Sequence, residues 1–253
     1  MIDLHSHILP GADDGAATLE DAVAMAAAAV NDGIRLVAAT PHHNDGCYAN
    51  PAGSVLEAVD ALNAELAARR IPLTVIPGQE LRVGAGFWEE FGRGRALTLN
   101  RSRYLLIELP PDRVPGDLAE TVYELTLEGI VPVIAHPERN AGLARDMRLL
   151  EELVKLGALA QVTAHSLCGH FGRRLRKLAL EMCAGNLIHL VASDAHDAKR
   201  RPFAMKEAMA AVRRELGEEY AAYYAENAAA VAENREIAPG PAGAGRKRKF
   251  PRW

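Results

Sequence analysis

Short apolar runs alternate along this chain with longer stretches in which apolar positions recur at helical spacing. The runs are Ile2 to His7, Arg35 to Ala39, Leu73 to Ile76, Tyr104 to Glu108, Val131 to Ala135, Ala158 to Thr163 and Ile188 to Ala192. They are brief and aliphatic or β-branched, which predicts strands buried on both faces of a parallel sheet. Helices are predicted from about Thr18 to Asp32, Pro51 to Arg70, Asp117 to Glu128, Asp146 to Leu156 and Gly172 to Cys183. Thr18-Leu-Glu-Asp21 reads as an N-cap with an acidic first turn, and Gly33 as the stop of the same helix. About seven strands alternating with helices predict an α/β fold, a β/α barrel in one domain. The rival is an open doubly wound sheet, which gathers ligands at one switch point.

Candidate chemistry favours the barrel, because nearly every strand leads into a metal-ligating or charged residue. His5 and His7 stand at i and i+2, so their imidazoles share one side of a strand. His42 follows Thr40-Pro41, Glu80 follows Pro77-Gly-Gln, Glu108 closes its run, and His136 follows Ala135. Asp194 and His196 follow Ala192. In a barrel the C-terminal strand ends form one rim. Each residue has a plainer reading: an ion pair for Glu80 or Glu108, a strand cap for His136, a helix cap for Asp194. Together they would be a costly cluster of like charges unless cations bind them, and mixed imidazole and carboxylate donors suit manganese, iron or zinc.

Composition bounds the rest. The three cysteines, Cys47, Cys168 and Cys183, lack a Cys-x-x-Cys spacing, so neither a disulfide framework nor a zinc finger is expected. No signal peptide or membrane span is expected, and the cytoplasm is the default location. The formal charge is −4, but five basic residues fall in the last eight positions, so residues 1–245 carry −9. An acidic body argues against nucleic acid as the main partner. The domain is expected over residues 1–238, with residues 239–253 a flexible basic tail after Pro239-Gly-Pro.

The set His5-x-His7, Asp14, Thr40-Pro-His42-His43-Asn-Asp-Gly, Gly78-Gln-Glu80, Ile107-Glu108, Ala135-His136-Pro-Glu-Arg139-Asn and Ser193-Asp194-Ala-His196 resembles the polymerase and histidinol phosphatase superfamily. Within it, the chain resembles the bacterial manganese-dependent protein tyrosine phosphatases of capsule and exopolysaccharide loci. The likeness runs from Met1 to about Ile237 and includes Ser166-Leu-x-Gly-x-Phe-Gly172 and Glu226-Asn-Ala. It implies a distorted seven-stranded β/α barrel holding three divalent ions, manganese first, with iron, zinc or magnesium as alternatives. Carried over, His5, His7, Glu80 and Asp194 hold the first ion, Glu80, Glu108 and His136 the second, and Asp14, His42 and His196 the third. Arg139 and Arg201 match the family's phosphate-binding arginines, and His42 or His196 is a candidate proton donor. The implied substrate is a phosphotyrosine protein, with a bacterial tyrosine kinase as partner; a homo-oligomer is compatible. Three divalent ions against four carboxylates would leave about +2, a charge suited to a phosphate dianion.

Rival readings remain at this point. Cys168-Gly-His-Phe-Gly-Arg-Arg174 fits the Cys-x5-Arg of a thiolate phosphatase, although Leu167 and Leu175 stand where such enzymes carry His and Ser or Thr. Histidinol-phosphate phosphatase and nuclease activities belong to the same superfamily, and a non-catalytic kinase-docking regulator is the reading from another class. His165 stands where small residues are expected and reads as a harmless loop residue.

Overall fold

The computed structural model describes residues 1–241. The basic tail therefore lies, from residue 242 onward, outside the described residues. Two parallel sheets form the frame. One contains β1 (Ile2–Ser6), β2 (Leu36–Ala39) and β4 (Thr74–Pro77). The other runs β3 (His42–His43), β5 (Glu80–Arg82), β6 (Tyr104–Glu108), β7 (Val131–Ala135), β8 (Leu159–Thr163) and β9 (Leu190–Ala192). The sheets share two staves, because β2 continues into β3 across Thr40-Pro41 and β4 into β5 across Gly78-Gln79. The sequence ended those strands at Ala39 and Ile76; a proline and a glycine interrupt the ladder there, and pairing resumes beyond them.

Seven staves thus follow one another around a distorted ring. The seam between the last and the first is narrow. Asp194 N–H donates to the His5 carbonyl at 3.0 Å, His7 N–H donates to Ala195 at 2.8 Å, and a single parallel bridge joins Ser6 to Ala195. Ser193 Oγ ties the same seam, donating to His5 O at 3.2 Å and accepting from Ala195 N–H at 3.1 Å. Asp3, fully buried, accepts from the N–H groups of Ser193 and His5 through one carboxylate oxygen.

The outer helices are α1 (Leu19–Asn31), α2 (Ala52–Ala68), α3 (Phe87–Gly92), α4 (Leu118–Leu127), α5 (Ala141–Arg145), α6 (Met147–Lys155), α7 (Ala164–Cys168), α8 (Arg173–Ala184), α9 (Met205–Glu215) and α10 (Glu218–Ala232). α1 starts as expected: Thr18 Oγ1 accepts from Asp21 N–H while Asp21 accepts from Thr18 N–H. Strand side chains divide by the period of two. Leu105, Ile107, Ile134, Ala160 and Val162 join the core that includes the helices, whereas Leu4, Leu106, Val133, Leu159 and Leu190 form a second cluster with Ala228 and Val231 of α10. That inner cluster fills the barrel below the rim. No helix among the described residues is long and apolar enough to cross a membrane.

Ser193→Ala removes one donor and one acceptor from the seam and leaves buried Ala195 N–H without its partner. A loss of about 1–2 kcal/mol is expected, read as a melting temperature lower by roughly 2–8 °C for a chain of this size. An unchanged melting temperature would show that the seam is held elsewhere.

Candidate metal centre

The rim gathers nine of the predicted residues into one connected cluster, and Glu80 lies at its middle. Its Oε2 stands 3.3 Å from His5 Nε2, 3.6 Å from His7 Nε2 and 3.0 Å from His42 Nδ1, while Oε1 stands 2.8 Å from His136 Nε2. Glu80 is 1% exposed. Asp194 completes one group: its Oδ1 lies 3.5 Å from His5 Nε2 and 3.3 Å from His7 Nε2. Glu108 completes another, 3.6 Å from His42 Nδ1 and 3.7 Å from His136 Nε2. Asp14 Oδ1 sits 3.5 Å from His42 Nε2 and 3.4 Å from His196 Nε2, with His7 within the same group. His42 therefore faces two groups, one through each nitrogen, where the resemblance gave it to one.

Backbone strain helps place the donors. Asp194 and His136 adopt left-handed backbone angles, φ 55° and 33°, just past the ends of β9 and β7. For non-glycine residues this costs of order 1–3 kcal/mol, and such strain clusters at functional sites. The loop after β1 is pressed onto His7, since a Cβ on Gly15 would meet the His7 carbonyl oxygen at 2.0 Å. Only glycine fits there.

Four supporting residues carried no signal in the spacing argument. Asp13 accepts from His7 Nδ1–H at 2.6 Å, from His42 N–H and from Gly15 N–H. Gln161 accepts from His5 Nδ1–H at 2.8 Å. These bonds turn both Nε2 atoms toward Glu80 and Asp194, as outer partners do for metal-ligating histidines. Arg82 pairs with Glu108 at 2.6 Å, and Asp3 anchors His5 from below. A polar residue inside an apolar run was the available clue for Asp3 and Gln161; Asp13 looks like Asp14 from sequence alone.

The electrostatics call for cations. Burial pulls the His7 imidazole down, yet Asp13, Asp194 and Glu80 outweigh it and hold the pKa well above the ordinary histidine value. His5 and His42 are raised by the same contest, with Glu80 the leading carboxylate in each case. Burial alone would raise Glu80, but the surrounding histidines, His5 foremost, hold it well below the usual carboxylate range. Buried Glu80 Oε2 and His42 Nδ1 also lack a hydrogen-bond partner although they face each other. A carboxylate oxygen and an imidazole nitrogen that face each other at 3.0 Å outside hydrogen-bond geometry are donors that a divalent ion would serve, so the donor set fits metal.

Arg139 and Arg201 flank the cluster, both on the outer oxygen of Asp194: Arg139 pairs with Oδ2, and Arg201 Nη2 lies 2.7 Å from the same atom. Glu138, a plainer partner for Arg139, is instead buried and accepts from Thr163 N–H and Ser166 Oγ–H. The Phe171 ring lies over Arg139, 5.6 Å from the guanidinium carbon. His165 is not a loop residue; it sits buried in α7, outside the ligand groups. His43 also lies outside them, bonded to Glu90 and to Asn50 N–H.

The cysteine reading fails on chemistry. Burial, then Glu207, pushes the Cys168 thiol up to about 12, whereas a thiolate nucleophile needs its pKa lowered. Arg174 is the second residue of α8 and is exposed.

Comparison with known proteins agrees with this geometry. Residues 1–233 match the family model for capsular polysaccharide synthesis, CpsB/CapC. The chain belongs to the CpsB/CapC family. It is 45% identical over 250 residues to the tyrosine-protein phosphatase YwqE of Bacillus subtilis (strain 168), covering 99% of this chain and 98% of that protein. Identity to the tyrosine-protein phosphatase CpsB of Streptococcus agalactiae is 29% over 243 residues, 94% of this chain and all of the relative. The crystal structure of YwqE, described with CpsB from Streptococcus pneumoniae as unique metal-dependent tyrosine phosphatases, superimposes with a TM-score of 0.91 at 46% identity. It covers 94% of this chain and 96% of that one.

Asp13→Ala leaves His7 free to turn away from the cluster. Manganese affinity, measured by calorimetric titration of chelator-stripped protein, is expected to fall about ten- to a hundred-fold. Parental affinity would mean that Asp13 does not orient His7.

Proposed function

We propose that this chain is a metal-dependent protein tyrosine phosphatase of capsular polysaccharide synthesis, acting on phosphotyrosine in a protein substrate, with a bacterial tyrosine kinase as its partner. The observation that carries the reading is the buried donor cluster around Glu80 with two guanidinium groups on its open flank. Three divalent ions, manganese first, fit the grouping. His5, His7, Glu80 and Asp194 would hold one ion, and Glu80, Glu108 and His136, with His42 Nδ1 beside them, a second. Asp14, His42 and His196 would hold the third. Bound ions of this kind lower the pKa of water toward neutrality and take up charge on phosphoryl oxygens.

The chain's own residues do the remainder. Arg139 and Arg201 each engage Asp194 with one nitrogen and keep further N–H groups of a planar fork for two phosphate oxygens. Those bonds tighten as the phosphoryl group flattens in the transition state. A pocket lined by Glu108, Leu109, Pro111, His136, Arg139 and Asn140 opens beside the cluster. Phe171, 39% exposed, offers an aromatic face next to Arg139 for the substrate ring. A proton donor is dispensable: the tyrosine leaving group has a pKa of about 10. His42 has both nitrogens facing carboxylates, and His196 bonds the Asp194 carbonyl through Nδ1 while Nε2 faces Asp14. Neither imidazole is free to act as the acid.

Chelation is expected to abolish hydrolysis of a phosphotyrosine peptide, and manganese to restore it. Arg139→Lys and Arg201→Lys keep the charge and lose the fork. We expect retained metal content with kcat/KM lower by roughly ten- to a thousand-fold, about 1.4–4 kcal/mol of transition-state stabilisation. Parental rates in both variants would remove the phosphate clamp, and chelator-resistant turnover would remove the metal mechanism.

Phe171→Ala tests the aryl preference. Turnover of the phosphotyrosine peptide should fall about ten-fold relative to a small aliphatic phosphomonoester. An equal change for both substrates would mean that Phe171 does not read the ring.

A further inference from the structure

A second set of metal-binding donors meets away from Glu80, where α7, its C-terminal turn and α9 come together. Cys168 is the last residue of α7. Gly169, at φ 89°, then turns the chain through the left-handed region and brings His170 back beside the cysteine. Glu207 comes from the first turn of α9, which packs against α7. One donor atom from each of the three side chains lies within 4.8 Å of the other two, and His170 Nε2 stands 3.3 Å from Glu207 Oε1. We propose that Cys168, His170 and Glu207 form a binding site for one zinc-class divalent cation, separate from the phosphatase cluster.

The donor types carry the assignment. One sulfur, one imidazole nitrogen and one carboxylate oxygen make a set that zinc accepts, with three protein ligands and a fourth position open to water. Donors in such a site lie roughly 3–4 Å apart, as zinc bonds of about 2.0–2.3 Å in a tetrahedron require. Closing the present 4.8 Å envelope therefore needs side-chain movement of about 1 Å. His170 and Glu207 are free to supply it, being 46% and 58% exposed, and their exposure also admits the ion. The plainer reading is a surface ion pair between these two, worth less than about 1 kcal/mol. It leaves the neighbouring groups unexplained. Cys168 Sγ makes a long contact, 4.0 Å, to the Ala204 carbonyl; burial, then Glu207, keeps the thiol protonated, and the Arg176 guanidinium is already held by Glu215 and the Leu167 carbonyl. His165, whose ring centroid lies 5.1 Å from that of His170, keeps a buried Nε2 with no partner. A cation with its water at this corner gives His165 a polar neighbour and replaces the thiol proton, which leaves to solvent on coordination. It also ties to α9 the turn that presents Phe171 to Arg139.

Cobalt(II) tests the site without reference to catalysis. None of the nine residues around Glu80 is a cysteine, so a near-ultraviolet thiolate-to-cobalt absorption reports on Cys168 even if cobalt also enters that cluster. Added to the manganese-loaded full-length protein, cobalt should develop this band with one equivalent, and zinc should abolish it. Cys168→Ser, with parental phosphatase activity as the check on its fold, should lack the band; Glu207→Gln should bind cobalt at least ten-fold more weakly; Cys47→Ser should match the parent. Absence of the band in the parent, its persistence in Cys168→Ser, or its loss in Cys47→Ser would overturn the proposal.

Discussion

A carboxylate almost sealed from solvent, within 3.6 Å of three imidazoles through one oxygen and 2.8 Å from a fourth through the other, is the constraint on which the rim depends. Glu80 cannot be buried as an isolated anion, because desolvation of such a charge costs several kcal/mol. Its neighbours must be positive, through protons on histidine or through metal ions. A proton can be lost as pH rises, while a divalent ion serves several donors at once. The surroundings are arranged accordingly: Asp13 and Gln161 take the outer nitrogens of His7 and His5, so that both rings present Nε2 inward. Arg139 and Arg201 hold the outer oxygen of Asp194, and Arg82 pairs with Glu108 Oε2, the oxygen that also faces His42.

The barrel serves this arrangement through its irregularities. A regular stave would put one rim residue at each strand end. Here the breaks at Thr40-Pro41 and Gly78-Gln79 restart the ladder, so that His42 and Glu80 stand paired in register as the first residues of new segments. Left-handed backbone angles at His136 and Asp194 turn the chain just past the ends of β7 and β9. The strain of those residues, of order 1–3 kcal/mol each, is offset by a rigid frame in which two apolar layers pack on either side of the strands. Binding energy of the ions then adds to folding energy, as it does wherever ligands meet only in the native state.

Much of this was legible from the order of residues. The alternation of short apolar runs with helical stretches placed seven staves, and the resemblance in motif order named the nine residues that the rim gathers. What escaped was whatever depends on local backbone geometry or long-range partners. The second segments at His42 and Glu80 were read as strand ends, since a two- or three-residue strand has no periodicity to see. Asp13 and Asp14 are adjacent and chemically alike; only the fold shows that one faces His7 Nδ1 and the other faces His42 and His196. Cys168 and Arg174 matched a phosphatase pattern by spacing, but the environment of the thiol, not its spacing, sets its reactivity. His165 looked like loop because a helix of five residues leaves no pattern of its own.

The central claim is that Glu80 is shared between ions. Anomalous scattering at the manganese edge, from crystals of the manganese-loaded protein, locates each ion directly. The account predicts three peaks inside the ring formed by His5, His7, Asp14, His42, Glu80, Glu108, His136, Asp194 and His196, with the Glu80 carboxylate bridging two of them. Peaks that leave Glu80 without a metal ligand, or no peak in the ring at all, would contradict it.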